Sequence, residues 1–279
     1  LQSGCICCTI REDLTSTLSD LLDRRFSNEI SFNRVILETT GLADPSPIIY
    51  SICKGNIIKN NYRLSNVITT VDAINGIIHM SENYESKKQI AVADRIMITK
   101  SDIDKSNLSE ILEKNKELNP SVPIFYNNKK FSFNKIFKDD LFSLDNKSEL
   151  VRNWIETEGF SSHKSHSHDV NRHNDEIYTF HLKFDDQINW TTFGIWLTML
   201  LHYHGENILR VKGILNVAGS ESPIAIHGVQ HFIHQPMHLK SWPNSNRKSR
   251  IVFILKEINS SDILNSLEVF NKLGKISME

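Results

Sequence analysis

Three of the four cysteines in this 279-residue chain lie within four positions, in the stretch Gly4-Cys5-Ile6-Cys7-Cys8. Cysteine thiolates are ligands for ions such as Zn(II) and Cu(I). Three ligands with an open fourth position suit a metal that is later released, whereas closed sets of four hold structural metals. In an extended stretch Cys5 and Cys7 point to the same side, and a bend brings in Cys8. We therefore predict a metal site at Cys5, Cys7 and Cys8, the alternative being buried free thiols.

A second candidate group follows a short apolar run. Arg34 to Leu37 is predicted to be a buried strand, and Glu38 and Gly41 come after it. Ligands of doubly wound sheets gather at the carboxyl ends of the strands. A carboxylate there can hold Mg²⁺ directly or through water, and a glycine lets the backbone approach a terminal phosphate closely. The alternative is an ordinary turn, since the pattern E-x-x-G alone is common.

A third group, Thr99, Lys100 and Asp102, ends another apolar run. A carboxylate here can accept two hydrogen bonds from the N1–H and N2–H₂ edge of guanine, a pair of donors that adenine lacks. The aliphatic stem of Lys100 can lie across the base. The alternative is a polar turn before a helix. The order of the motifs, E-x-x-G and then T-K-x-D, each after a buried-looking strand, favours guanine-nucleotide binding.

The elements that would carry these residues alternate between apolar runs and amphipathic segments. Strands are predicted at Arg34–Leu37, Val67–Val71, Arg95–Thr99 and Val122–Tyr126. Helices are predicted at Asp13–Arg25, Glu85–Ala93 and Leu108–Leu118. This alternation implies βαβ units and a parallel sheet. The strands are almost continuously apolar, as burial on both faces requires.

The composition changes in the second half of the chain. Residues 158–175 are polar and are predicted to be a linker. The linker contains four histidines: His163, His166, His168 and His173. They either form a tract that collects metal loosely, or they belong to a solvated linker that binds metal only incidentally. Strands are then predicted at Ile177–Phe184, Ile208–Ala218, Ile224–Ile233 and Arg250–Leu255, with helices at Trp190–His202 and Ser261–Leu273. We therefore expect three units: residues 1–157, the linker 158–175, and a small α+β domain at 176–279.

Four more histidines fall in and after one of these predicted strands: His227, His231, His234 and His238. His227 and His231 share strand parity, as do His234 and His238, and Pro236 interrupts the series. Packing in a core or an interface is therefore favoured over a single metal site.

The composition disfavours several classes of protein. The 32 basic and 33 acidic residues give a formal net charge of −1, which favours neither nucleic acid nor an anionic membrane as a partner. No apolar run approaches membrane-spanning length, and the first residues lack the pattern of a signal peptide. The clustered cysteines do not resemble a secreted disulfide framework, so we expect a cytoplasmic, reducing compartment.

Together, G-C-I-C-C, E-T-T-G-L-A-D-P, V-D-A and T-K-S-D resemble the CobW family of metal-handling P-loop GTPases. Further on, L-R-V-K-G, H-G-V-Q-H, W-P and R-K-S-R resemble the family's C-terminal domain. The resemblance implies an α/β, P-loop GTPase-type domain with a mostly parallel sheet, followed by a small α+β domain. It also implies a GTP-dependent metallochaperone or metal-insertion factor that uses GTP and Mg²⁺. Such a protein carries Zn²⁺, or alternatively Co²⁺, to a client metalloprotein.

The resemblance also assigns roles to the candidate residues. The family's C-x-C-C metal motif is matched by Cys5, Cys7 and Cys8. Its Walker-B and switch-II segment, which serves catalysis, is matched by Glu38 and Gly41. Its guanine-specificity motif is matched by Thr99, Lys100 and Asp102. The metal, the client and the oligomeric state, including a homo-oligomer, stay open.

The sequence departs from the family pattern in one respect. The family has a strand and a G-x-x-x-x-G-K-[ST] loop upstream of the cysteines, and this chain contains no such loop. That loop cradles the phosphates and supplies a Lys to the β/γ oxygens and a Ser or Thr to Mg²⁺. We therefore expect a gap in the core and little or no GTP hydrolysis, and we interpret the chain as part of a longer protein.

Two alternative functions follow. One is a non-hydrolysing metal-binding or scaffold protein, a pseudo-GTPase without the phosphate loop. The other is a redox protein that uses Cys7 and Cys8. The redox function is disfavoured because adjacent cysteines form strained disulfides and the chain has no C-x-x-C pair.

Overall fold

The computed structural model describes residues 6–54, 56–127, 136–137, 177–242 and 247–276. Its first part contains a parallel sheet in the order β1 (Ile68–Asp72), β2 (Arg95–Thr99), β3 (Ile124–Tyr126). β2 pairs on both edges, which is why four of its five residues are buried. The expected α/β fold with a parallel sheet is confirmed.

Six helices accompany this sheet in the described residues: α1 (Ile6–Phe26), α2 (Pro45–Lys54), α3 (Asn56–Asn61), α4 (Gly76–Glu82), α5 (Tyr84–Val92) and α6 (Leu108–Leu118). The core between sheet and helices is aliphatic, with Val71, Ile96, Ile98 and Ile111 at its centre. α6 begins and ends where its amphipathic pattern predicts, because one face of the helix has to cover this core.

The predicted strand Arg34–Leu37 is wrong, because this segment forms no strand. Its apolar side chains are exposed: Val35 to 38%, Ile36 to 71% and Leu37 to 46%. An apolar run becomes a buried strand only when neighbouring strands and helices cover it, and no described strand pairs with this one. The expected gap in the core stays a prediction.

The first helix is longer than its predicted range of 13–25. α1 begins at Ile6, so the backbone of Cys7 and Cys8 is helical and the expected extended stretch is wrong at these two residues. Leu18 and Leu22 are buried, and the Leu18 carbonyl accepts a hydrogen bond of 2.9 Å from the Tyr62 hydroxyl. α1 ends before Asn28, whose left-handed φ of 58° stops a helix.

The second part is an antiparallel sheet with two helices on one face. The strands are β4 (Ile177–Phe184), β5 (Ile208–Leu215), β6 (Ile224–Val229), β7 (Phe232–Ile233), β8 (Met237–His238) and β9 (Ser249–Lys256). Their order is β4-β9-β5-β6-β7, with β8 also on β6. The helices α7 (Trp190–His204) and α8 (Ser260–Ile276) meet where the Trp196 indole donates to the Ser266 hydroxyl over 2.9 Å. The expected α+β domain is confirmed.

One predicted strand of this domain is wrong. The range 224–233 is a hairpin, β6 followed by β7, and not a single strand. The chain reverses direction at Gln230, whose backbone has a left-handed φ of 52°. The sequence carries no glycine or proline at the turn, so the apolar pattern runs through it without a visible break.

The other face of the antiparallel sheet packs against the first part of the chain. Ala91 and Val92 of α5 lie with Leu209, Val229 and Ile254 in one buried apolar cluster. At its rim the Arg210 guanidinium, 2% exposed, donates to the Val92 carbonyl and to the Asp94 carboxylate. A buried charge needs such a partner, and here each part of the chain supplies one member of the pair.

No helix within the described ranges is long and apolar enough to cross a membrane. The predicted linker 158–175, with its histidines, lies outside the described residues. The domain boundaries at 157 and 176 stay predictions.

Candidate nucleotide and metal site

The carboxyl ends of β1 and β2 form one edge of the parallel sheet. Their register pairs Asp72 with Thr99, the last residues of the two strands. The Ala73 N–H donates to the Thr99 carbonyl over 2.9 Å and extends this pairing beyond the strands. The sheet edge therefore joins the V-D-A and T-K-S-D motifs, which stand far apart in the sequence.

Lys100 is fixed by Asp72 across this edge. The Lys100 Nζ lies 2.6 Å from Asp72 Oδ2, and the lysine backbone has a left-handed φ of 57°. The lysine side chain is 49% exposed and the aspartate side chain 15% exposed. The left-handed backbone turns the chain away from the strand direction, and the ion pair holds the ammonium over the end of β1.

The Asp72 carboxylate also organises the loop after β1. Its Oδ1 accepts from the Ile74 N–H at 2.8 Å and the Asn75 N–H at 3.4 Å. Burial acts to raise the pKa of Asp72, but the hydrogen bond from Lys100 and those from Ile74 and Asn75 outweigh it and lower the pKa. Asp72 is therefore a fixed negative charge at the centre of the edge.

In the sequence Asp72 belongs to the V-D-A motif, which by itself predicts no role for this residue. The signal that could have found it is the one used for Glu38, a carboxylate at the end of a strand. Asp102, which was predicted, lies on the exposed loop after β2, and Ser101 beside it is buried. Asn107 closes the loop by donating to the Ile74 carbonyl over 3.2 Å. Thr99 at the end of β2 and Lys100 and Asp102 in the short loop after it therefore lie close together, and Asp72 holds this loop through Lys100.

The segment from Glu38 to Asp44 is the second candidate region, and both Glu38 and Gly41 are exposed in it. A Cβ added to Gly41 would meet no atom of the described residues within 4 Å. Because the fold leaves this space open, packing around the segment does not require a glycine. The Ala43 N–H closes a turn onto the Thr40 carbonyl over 3.0 Å.

The candidate metal residues fall at the margin of the described chain. Cys7 and Cys8 are consecutive residues in the first turn of α1. Cys5 lies outside the described residues, as do the side chains of the other two. Among the side chains that the structure does describe, no group of three or more His, Cys, Asp or Glu is placed to hold a metal ion.

Two of the histidines of the C-terminal part, His227 and His234, pack against each other, which is the kind of contact that the sequence favoured. The rings of His227 and His234 stack with their centroids 4.8 Å apart and their planes within 6°. His227 Nε2 lies 3.7 Å from Asp94 Oδ1. Burial, reinforced by the charge of Arg210, holds the pKa of His227 well below 6.5, so this ring is uncharged at neutral pH.

A parallel sheet with charged side chains at its carboxyl edge, joined to an α+β domain, defines a two-part protein with a nucleotide-binding type of α/β domain. Residues 1–126 match the model of the CobW/HypB/UreG nucleotide-binding domain. Residues 177–271 match the model of the cobalamin synthesis protein cobW C-terminal domain. The chain therefore belongs to the CobW family, as its motifs predicted.

Curated relatives match most of the chain. The zinc chaperone YjiA of Escherichia coli is 26% identical over 264 residues, which are 94% of this chain and 79% of that protein. The zinc chaperone CobW of Pseudomonas aeruginosa is 24% identical over 96% of this chain and 73% of its own length. A zinc-regulated GTPase metalloprotein activator 1 of Schizosaccharomyces pombe is 23% identical over 77% of this chain and 57% of its own.

A solved structure supports the same fold. The crystal structure of Zn(II)-bound YjiA GTPase from E. coli superposes with a TM-score of 0.68 and is 25% identical. The match covers 91% of this chain and 76% of that one. The fold of this chain is therefore similar to that of a known GTPase.

Proposed function

We propose that this protein is a guanine-nucleotide-dependent metallochaperone. It binds a divalent ion at Cys5, Cys7 and Cys8, and the bound nucleotide alters its affinity for that ion. The observation that carries the proposal is the braced loop at the end of β2, where Asp72 holds Lys100 beside the exposed Asp102. The relatives named as zinc chaperones and as zinc-regulated GTPases support it.

The loop after β2 is the base-binding half of the proposed site. Asp102 accepts from the N1–H and N2–H₂ groups of guanine, and the Lys100 stem covers one face of the ring. Tying the lysine ammonium to Asp72 lowers the entropy that the side chain loses on binding, which is the advantage of a preorganised site.

The segment Glu38–Gly41 is the phosphate-sensing half. Glu38 is the carboxylate that would hold Mg²⁺, and the Gly41 N–H would meet the terminal phosphate. The empty space around Gly41 supports this role, because a close-approaching ligand gives the chain a reason to have a glycine that packing does not. When bound, GTP and Mg²⁺ supply the charge that orders this segment.

The coupling to metal runs through two packed helices. Cys7 and Cys8 lie in the first turn of α1, and α1 packs against α2. The first residue of α2 follows Asp44, at the end of the phosphate-sensing segment. A nucleotide-dependent shift of this segment therefore moves α2 against the helix that carries two of the three thiols. Zn²⁺ fits the thiolate set, with Co²⁺ as a second candidate, and the recipient is a client metalloprotein.

Asp102→Asn tests the base-binding half. An asparagine amide offers one donor and one acceptor, a poor match for guanine and a good match for xanthine, which has an acceptor where guanine has its amino group. We expect the affinity for GTP to fall by about 100-fold and the affinity for XTP to rise, with zinc binding unchanged. Fluorescent-nucleotide titration of the chain measures both, and an equal loss of GTP and XTP would count against the assignment.

One observation favours a second candidate function. This sequence contains no G-x-x-x-x-G-K-[ST] loop, the element that cradles the phosphates in P-loop proteins. A non-hydrolysing metal-binding or scaffold protein needs none. Zinc binding without any guanine-nucleotide binding would establish this function, whereas GTP turnover that is lost in Asp102→Asn would rule it out.

A further inference from the structure

Helix α5 holds the phosphate-sensing segment through two adjacent side chains. The Gln89 Nε2 donates two hydrogen bonds, to the Gly41 carbonyl at 3.0 Å and to the Ala43 carbonyl at 2.8 Å. Next to it, the Lys88 Nζ lies 2.7 Å from Asp44 Oδ2, and the lysine side chain is only 13% exposed. One amide therefore fixes the backbone on both sides of Leu42, and one ion pair fixes the end of the segment.

The far end of the segment is tied to the next helix. Asp44 Oδ1 accepts from the Ser46 N–H at 2.9 Å, and Pro45 occupies the first position of α2, where its fixed φ is favourable. Burial acts to raise the pKa of Asp44, but the hydrogen bonds from Lys88 and Ser46 lower it. The carboxylate thus stays charged while it joins α5 to α2.

The same helix also contacts the C-terminal domain. Near its start the Lys256 ammonium lies 4.2 Å from the centre of the Tyr84 ring. At its end the Val92 carbonyl accepts from Arg210, which also pairs with Asp94 two residues on. Val92 is fully buried between the two parts. A single helix of nine residues is therefore held by the C-terminal domain near both ends and holds the segment from its middle.

From these contacts we propose that Gln89 is a positioning residue for the segment from Gly41 to Asp44, and that α5 links this segment to the C-terminal domain. This inference rests on the proposed function in one respect, namely that the segment senses the terminal phosphate. Because the helix is rigid, a shift at Lys88 and Gln89 also changes the distances of its contacts with Arg210 and Lys256. By reciprocity, a partner that binds the C-terminal domain and moves α5 changes the affinity of the segment for phosphate, and the reverse.

Gln89→Glu tests the positioning role without nucleotide. Glutamate keeps the shape but has no N–H to donate, so it would face two carbonyls with an acceptor. Hydrogen–deuterium exchange of the intact chain is expected to accelerate about 10-fold or more across residues 39–46. Residues 95–99 of β2 and the melting temperature should stay the same, which separates positioning from general stability. Glu85→Gln, the reverse change on the same helix, is the control and should alter neither.

Two variants in the C-terminal domain test the link. In Arg210→Met the Val92 carbonyl and Asp94 lose the hydrogen bonds from the guanidinium. Exchange in residues 39–46 should then rise about 3-fold or more although the change is in another domain. Lys256→Met removes a milder contact and serves if the first variant does not fold, with a smaller rise at the same residues. Lys248→Met breaks an ion pair of 2.6 Å with Asp185 that does not involve α5 and is the control.

The outcomes separate this inference from the proposed function. Unchanged exchange at residues 39–46 in Gln89→Glu overturns the positioning role. Unchanged exchange there in both Arg210→Met and Lys256→Met overturns the link. Adding a non-hydrolysable GTP analogue with Mg²⁺ to the wild-type chain tests the proposed function alone. If it fails to protect residues 39–46, the nucleotide role falls while the results of the variants still decide the link.

Discussion

The two halves of the proposed nucleotide site differ in how they are held. The loop after β2 is built on a strand that pairs on both edges, and an ion pair of 2.6 Å braces it. In the described part of the chain no strand pairs with the segment before Gly41, and the apolar side chains of this segment are exposed. The base-binding half is therefore complete within the described chain. The phosphate-sensing half is held by Gln89 and Lys88 of α5 and by the Ser46 N–H of α2.

This difference shows which half can be rigid and which can switch. A site that reports one base gains from being preorganised, because the same contacts serve every nucleotide state. A segment that reports the terminal phosphate has to exist in two arrangements. Because it makes few contacts, the free-energy difference between the two arrangements is small. Gln89 and Lys88 limit the freedom of the segment without burying it.

The largest expected effect is on the free energy of unfolding, and it appears when two isoleucines of the same domain are compared. Ile98 in β2 is fully buried, whereas Ile36 is 71% exposed. We expect Ile98→Ala to lower the free energy of unfolding by about 2–5 kcal/mol and Ile36→Ala to change it by less than about 0.5 kcal/mol. Urea denaturation measures both. Similar losses would mean that the segment before Glu38 is packed after all.

A double-mutant cycle then tests the ion pair between Lys100 and Asp72 in the base-binding half. Lys100→Met keeps the stem over the base but loses the ammonium, and Asp72→Asn loses the charge that holds it. Each should lower the affinity for GTP and GDP alike by about 10-fold, and the double variant should lose little more than either single one. Fluorescent-nucleotide titration supplies the four affinities. Full additivity would show that the two residues act independently.

The matched change on the other half is Asp44→Asn, which breaks the ion pair with Lys88. It should alter the ratio of GTP to GDP affinity by about 3-fold or more and leave the preference for guanine over adenine intact. A changed base preference would contradict the division of the site into two halves.

The smallest expected effect is a pH dependence from Asp72. Its pKa lies below the ordinary value of 3.8, so its stabilising contacts are fully present above that pH and are lost as the pH falls through the folded-state pKa. The stability difference between wild type and Asp72→Asn should therefore shrink from about pH 5 to about pH 3. It should stay below about 1 kcal/mol, because Lys100 is half exposed. A difference that grows on acidification would reverse the sign of the argument.

The sequence predicted elements whose own pattern determines them. β2 and α6 begin and end where their side chains indicate, because β2 is apolar throughout and α6 has one apolar face. The run Arg34–Leu37 has the same apolar character, but a strand also needs neighbours, which a local pattern does not report. The cluster of Cys7 and Cys8 suggested an extended chain, and the helix that holds them starts earlier than its amphipathic face.

The candidate site shows the same division. Residue types predicted a site at Thr99, Lys100 and Asp102, and the order of the motifs predicted their partner segment. The brace from Asp72 depends on a parallel register, and the clamp from Gln89 joins residues 48 positions apart. Such contacts arise from tertiary packing, so no local pattern contains them.

The most direct test of the central claim is the zinc affinity of the chain with and without a non-hydrolysable GTP analogue and Mg²⁺. A competing chelator sets the free zinc, and Asp102→Asn is the control that cannot respond. We predict that the analogue changes the zinc dissociation constant by about 5-fold or more, and that zinc changes the affinity for the analogue by the same factor. Equal zinc affinities in the two conditions, with the analogue shown to be bound, would contradict the coupling.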